Sequence, residues 1–376
     1  MTIGSRPPTP RSLEYEENVS SCFSSLSPSD ESYGSGHSQV SAMEHEMWMD
    51  LGGDEDTWES CRALKDSRGL VGDILPDNVI GFNVSEAMEK FGQMPLPIFD
   101  HRLRRGSDAD DPAEKPQQQE FREWATYMET LIAPMLSDES RALKRRWIRR
   151  TGDDWAGYDL VSLPDEQSAI LNGPFHAILR ISSDRARAER QIVLCSRDSF
   201  HRQRSRRFVL GIAMADDEMS IVLADRAGVV ISEVYSLKER FDVLLRVCMG
   251  LLFVDLTRLG YDPAFTSVSG KPLVQISGDQ YEVKRGILKD HYLEGSGIRI
   301  TLLQKDGKEY VMKDVWIERE RGSMEADMLR KVTELNIVGT ARFVGHDVVH
   351  VNGEVDSTEI ENSSLYIKLR QYGTHL

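Results

Sequence analysis

The sequence predicts an α+β protein: a disordered acidic tail, then an α+β domain, then a mainly antiparallel lobe of about five strands and one helix. Three observations predict it. Apolar residues from Phe121 to Ile132 fall on one helical face. Short apolar or alternating runs between Tyr158 and Val234 are separated by turn residues, as strands are. Beyond residue 280 the alternation resumes around glycine turns, interrupted by one helical run from Met324 to Asn336.

Composition limits the classes of function. The chain has 376 residues, 40% of them hydrophobic, enough for two domains and tails. A net charge of −15 disfavours nonspecific binding to nucleic acid or to anionic membranes. No apolar run is long enough to span a bilayer, and the N-terminus lacks the apolar core of a secretory signal. Cys22, Cys61, Cys195 and Cys248 are scattered and show no metal-ligand spacing. These features predict an intracellular protein, cytoplasmic or nuclear, with no membrane and no specific nucleic acid among its partners.

Residues 1–62 form the predicted tail. Its first part is rich in Ser, Pro, Gly and Glu and cannot bury enough apolar area to offset its ordering entropy. Residues 41–62 mix acids with Met43, Met47, Trp48, Met49, Leu51 and Trp58, a composition that suits either a tail or a segment that folds against a protein partner. Residues 63–117 read as a loop-rich linker with one short helix near Ser85 to Phe91.

The α+β domain is expected over 118–265. After the Phe121 helix, Asp138 to Arg150 reads as a second helix with six basic residues, either an anion or nuclear-import patch or a solvated face. Strands are expected at Tyr158 to Leu163, Ala177 to Ile181, Gln191 to Cys195, Phe208 to Met214, Met219 to Ala224 and Val229 to Val234. The last three suggest a meander, with Gly228 supplying positive φ in the turn from Asp225. Lys238 to Leu259 returns to helix and stops at Gly260-Tyr261-Asp262-Pro263. A loop then leads to the last domain, 280–376.

That domain carries the chemistry. Gly295-Ser296-Gly297 lets backbone amides approach phosphate oxygens, because no Cβ intervenes. Lys313, inside the apolar strand of Val311 and Met312, can pair with the phosphates, and Glu325 on the next helix can orient it. Met324, Met328, Leu329 and Val332 are expected to form the buried side of that helix. Asp327 is the weaker acid, about 200° round the helix from Glu325. The third glycine of the usual pattern is Ile300.

Residues 120–376 resemble the fungal-type protein kinases, in which an N-terminal α+β region precedes a kinase domain. The resemblance rests on Phe121 to Tyr127, Arg206 to Gly211 and Leu259 to Pro263, and in the later part on Gly295-Ser296-Gly297, Lys313-Asp314-Val315-Trp316 and Glu325 to Val332. It implies a kinase-like small lobe, ATP as the ligand, Lys313 on the phosphates and Glu325 as its ion-pair partner.

The departures are as specific. Phosphoryl transfer needs a catalytic aspartate, an asparagine and a metal-binding aspartate. His101-Arg102 is followed by Leu103 and His201-Arg202 by Gln203, so no His-Arg-Asp exists, and no Asp-Phe-Gly either. Tyr372-Gly373-Thr374 falls where a kinase hinge is expected. The sequence therefore predicts a truncated or degenerate kinase with an ATP-phosphate grip, an incomplete Mg2+ site and no catalytic residue of its own. A binding or regulatory module acting through the α+β domain and the N-terminal segment is the alternative. Small-lobe side chains Leu365, Tyr366, Leu369 and Tyr372 are expected to be exposed and to favour self-association. A nuclease resembling the restriction enzymes is rejected, because the strand after Asp159 reads Ala177-Ile178-Leu179-Arg180 and lacks the acid and lysine.

Overall fold

A run of buried strands with helices on both faces builds the first half. β1 (Ala63–Ser67), β2 (Arg145–Arg149), β3 (Gly157–Ser162), β4 (Ala177–Ile181), β5 (Val209–Ala215), β6 (Glu218–Ala224) and β7 (Val229–Ser232) pair in the order β1-β7-β6-β5-β4-β3-β2, and β8 (Tyr235–Ser236) lies beside β6. β1–β7 and β4–β5 are parallel; the other neighbours are antiparallel. The computed structural model describes residues 63–91, 116–138, 145–149, 157–162, 175–182, 184–268, 271–289, 293–318, 324–337, 339–340, 342–358 and 366–374. The tail and its acidic-hydrophobic segment lie outside them, as do the side chains of Leu365, Tyr366, Leu369 and Tyr372.

One face of this sheet packs on α1 (Leu70–Ile74), α2 (Asp77–Ile80), α3 (Val84–Phe91), α4 (Pro116–Ile132) and α6 (Phe241–Phe253). The opposite face packs on α5 (Arg185–Arg202), through Ala188, Ile192, Val193, Cys195 and Phe200. α5 starts at Asp184, whose carboxylate accepts from Ala186 N at 3.0 Å, a standard N-cap bond. It lies so close to the sheet that a Cβ on Gly211 would stand 2.3 Å from Ile192 Cγ2. The predicted turn is present: Asp225 N donates to Gly228 O at 2.9 Å, and Gly228 has φ 143°.

Several expectations are corrected here. Gln191 to Cys195 is not a strand but the middle of α5. Ile192, Val193, Leu194, Cys195 and Ser196 are all buried, so this helix shows a continuous apolar run rather than a 3.6 period. Arg145 to Arg149 is strand β2, not helix. Its Arg145 is buried and donates to the carbonyls of Leu251, Leu252 and Val254 at the end of α6, so it is not part of a surface basic patch. Burial pushes its guanidinium down to about 10, still charged at neutral pH. Residues 63–91 are not a loop with one helix: they supply an edge strand and three helices, and Leu75, Ile80 and Phe82, in and between those helices, are core.

The second sheet follows. β9 (Phe265–Val268), β10 (Lys271–Ile276), β11 (Asp279–Lys289), β12 (Arg299–Lys305), β13 (Lys308–Glu318), β14 (Arg342–Val348) and β18 (Tyr366–Thr374) pair in the order β14-β18-β13-β12-β11-β10-β9, with β17 (Ser357–Thr358) beside β18. β15 (His350–Val351) and β16 (Glu354–Val355) form a separate ladder. Beyond residue 280 stand five long strands and the helix α7 (Met324–Glu334), matching the expected count of about five strands and one helix, although the long strand here is Arg342–Val348 rather than Val348 to Val351. The hairpin β9–β10, expected as loop, extends the sheet beyond them. Its core is Val274, Ile276, Tyr281, Val283, Leu303 and Met312.

Candidate functional site

Lys313 lies on β13, paired with Ile300 of β12 on one side and Gln371 of β18 on the other. Met312, Asp314, Val315 and Trp316 around it are buried, while Lys313 is half-buried. Its Nζ meets both carboxylate oxygens of Glu325, at 2.5 and 2.8 Å. The side chains remain 25% and 49% exposed, so solvent screens the pair and its contribution to stability is small, about 1 kcal/mol or less. The arrangement is instead an oriented ammonium at a partly open site. Asp327, the weaker candidate, pairs with Arg330 at 2.8 Å and takes no part.

The buried side of α7 differs from expectation. Ala326 is buried and Leu329 and Val332 half-buried, but Met324 and Met328 are 70% and 66% exposed. Glu325 to Lys313 fixes the rotation of the helix and turns both methionines outward. They join Leu335, Ile337 and Val344 among the exposed apolar side chains of this lobe.

The glycine segment leads into β12. Gly295 has φ 106° and Gly297 φ 50°, conformations that disfavour a side chain. A Cβ on Gly295 would meet nothing within 4 Å, so the backbone there is open to an approaching group. Gly297 differs: a Cβ there would stand 2.7 Å from Arg226 Nε. Gly295 N donates to Arg226 O at 3.0 Å, and Trp316 N donates to Ser296 O at 2.7 Å. The segment is thus stitched to β13 on one side and to the β6–β7 turn on the other.

The same junction carries the residues that sequence reasoning missed. Arg299, two residues after Gly297, is buried and caps the end of α5: it donates to Gln203 O at 2.8 Å and to the carbonyls of Phe200 and Arg204. Arg207 and Asp356 form a buried ion pair at 2.6 Å. Leu293 is buried in the core under α5. The only available signal was an arginine on an otherwise apolar, alternating strand.

Other histidine, cysteine and arginine side chains among the described residues do not assemble into a site. His176 is buried with its Nδ1 3.0 Å from Tyr261 Oη; burial first, then Arg145 and Arg206, push its pKa down to about 3, so it is neutral. Cys195 and Cys248 are buried and outside any disulfide among the described residues; Arg180 Nη2 donates to Cys195 Sγ at 3.4 Å, and burial pushes the Cys248 thiol up. Arg180, in place of an acid or lysine, is buried and donates to Leu179 O at 2.9 Å. Among the described residues no group of three His, Cys, Asp or Glu side chains could hold a metal ion. Among the same residues no helix is long and apolar enough to cross a membrane.

No curated protein and no solved structure matches the chain. The family model described as fungal protein kinase matches residues 176–371. That span holds α5, the glycine segment, Lys313 and Glu325, and covers more than half of the 376 residues. The chain belongs to the fungal protein kinase family.

Proposed function

We propose that this chain holds ATP through Gly295, Gly297, Lys313 and Glu325, and that these 376 residues do not transfer its phosphoryl group. The observation that carries the reading is the bidentate Lys313–Glu325 contact beside a glycine segment of positive φ. Glu325 holds the Lys313 ammonium where phosphate oxygens would share it, as in the kinase phosphate grip. Gly295, whose N–H is held by Arg226 O, leaves its Cα face open to an approaching group. ATP supplies the transferable phosphoryl group; the chain's own residues supply binding and orientation.

Turnover needs an aspartate base, an asparagine and a metal-binding aspartate, and the 376 residues contain neither His-Arg-Asp nor Asp-Phe-Gly. The grip alone binds Mg2+ only through the nucleotide. We place the protein inside the cell, in cytoplasm or nucleus, where ATP and reduced cysteines are found. The test is transfer of labelled phosphate from ATP and Mg2+ to a generic acceptor protein. No transfer is expected; transfer abolished by Lys313→Ala would overturn the inactivity.

A second reading, a binding module, is favoured by a cleft of about 770 Å3 between the α+β domain and the β9–β10 hairpin. Arg204 in its wall makes no side-chain hydrogen bond or ion pair among the described residues. Capture of a protein partner that survives Lys313→Ala and is lost in Arg204→Glu would support this reading over the first. Self-association would use the exposed Met324, Met328, Leu335, Ile337 and Val344.

A further inference from the structure

We infer that the α+β domain clamps the glycine segment through Arg226, so that the phosphate-facing loop is shaped by the neighbouring domain before nucleotide arrives. The inference rests on the proposed nucleotide grip for its function, but the clamp itself is a matter of geometry.

Arg226 sits in the β6–β7 turn and is only 2% exposed. Its carbonyl accepts from Gly295 N at 3.0 Å. Its Nη1 donates to Leu293 O at 3.3 Å, and its guanidinium lies 4.7 Å from the Phe200 ring centroid. Gly297 runs so close beneath the guanidinium that a Cβ there would stand 2.7 Å from Nε and 3.0 Å from Cδ and Cζ. One arginine therefore touches residues 293, 295 and 297, the whole length of the segment.

The turn that presents Arg226 is itself rigid. The Asp225 carboxylate accepts from Ala227 N at 2.7 Å and Gly228 N at 3.2 Å, and Gly228 O accepts from Asp225 N. Below the segment, Leu293 is buried in the core with α5. Beyond it, Arg299 holds the end of α5. A glycine loop attached only to its own two strands is free to open and close as a flap. Here such opening has to break the Gly295–Arg226 hydrogen bond and lift Leu293 from a core. Gly297 is then required less by phosphate than by Arg226, which explains a glycine at a position whose surroundings are filled.

Arg226 is a positioning residue in this account. Amide hydrogen exchange of the full chain tests the clamp without any nucleotide. In Arg226→Ala, which keeps the carbonyl that holds Gly295 N, the amides of residues 296–299 should exchange at least about ten-fold faster, with those of β5 and the middle of α5 changed less than about two-fold. Arg226→Lys, which keeps the charge but not the planar fork, should lie between wild type and Arg226→Ala. It also decides the matter if Arg226→Ala folds poorly. Unchanged loop exchange in both variants, or an equal rise throughout the chain, overturns the clamp.

Binding of a fluorescent ATP analogue tests its consequence. Arg226→Ala should weaken binding about ten-fold, and Gly297→Ala should weaken it similarly. The double variant should be little worse than either, because each disrupts the same close approach of Gly297 to the Arg226 guanidinium. Strictly multiplicative losses, or unchanged affinity in a loosened loop, overturn the positioning role. Wild type that binds no nucleotide refutes the grip, while the exchange result still judges the clamp.

Discussion

Replacing Arg299 by Met should loosen the small lobe from the α+β domain. Arg299 is 7% exposed, and its guanidinium is the shared donor to three carbonyls at the end of α5, those of Phe200, Gln203 and Arg204. Methionine fills similar volume but donates nothing. Each buried acceptor left without a donor costs about 1–3 kcal/mol, and loss of a cation at a helix C-terminus adds up to about 2 kcal/mol. These contributions overlap, and water reaches part of the site. A net loss of about 3–5 kcal/mol is therefore expected. At about 2–4 °C per kcal/mol, Tm should fall by about 10 °C. Thermal unfolding followed by circular dichroism at pH 7.5 reads this directly. The control is Arg330→Met, whose partner Asp327 is as exposed as Arg330 itself; it should change stability by less than about 1 kcal/mol. An Arg299→Met shift no larger than the control's would refute the capping argument.

Asp225 makes stability depend on pH. Burial, with the negative Asp356 and Glu294 nearby, raises its pKa to about 6 against the two amide donors that lower it. An unfolded aspartate titrates near 3.9, so the folded chain holds an extra proton between the two values. This group's stabilisation is complete below about pH 4 and is lost as pH rises through 6. Asp225→Asn, which still accepts from Ala227 and Gly228, should raise stability at pH 7.5 by about 1–2 kcal/mol and leave it nearly unchanged at pH 4.5. Equal shifts at both pH values would contradict this. Cys195 and Cys248, 2% and 0% exposed, should resist a thiol reagent in the folded protein and react only on unfolding. Rapid labelling of Cys248 in native conditions would contradict its burial.

What the sequence revealed follows from how locally each feature is encoded. The β5–β6–β7 meander was legible because its turns, Ala215 to Glu218 and Asp225 to Gly228, carry turn residues between short apolar runs. α6 was placed correctly as a helix, but it runs Phe241–Phe253, shorter than the expected Lys238 to Leu259. Lys313 and Glu325 were found by order along the chain, and the structure brings their charged atoms together. α5 was misread because burial on nearly every side erases the period that marks a surface helix. β1 and β9–β10 were read as loops because each is short and depends on a distant partner or a hairpin for its pairing. The methionines of α7 were assigned to the core because apolar residues one turn apart suggest a buried stripe. Here the Glu325 contact and the burial of Ala326 decide the rotation. Arg226, Arg299 and Arg207 act across the junction of the two halves. Long-range pairings of that kind leave no periodic trace in a single sequence.

The nucleotide grip is tested most directly by isothermal titration of the full chain with ATP and Mg2+, in wild type, Lys313→Met and Glu325→Gln. Wild type should bind saturably at one site. Lys313→Met should bind at least about ten-fold more weakly, a loss of about 1.4 kcal/mol or more, and Glu325→Gln should lie between the two. Binding equal in all three, or no binding by a wild-type protein that melts cooperatively, would contradict the assignment of Lys313 and Glu325 to phosphate.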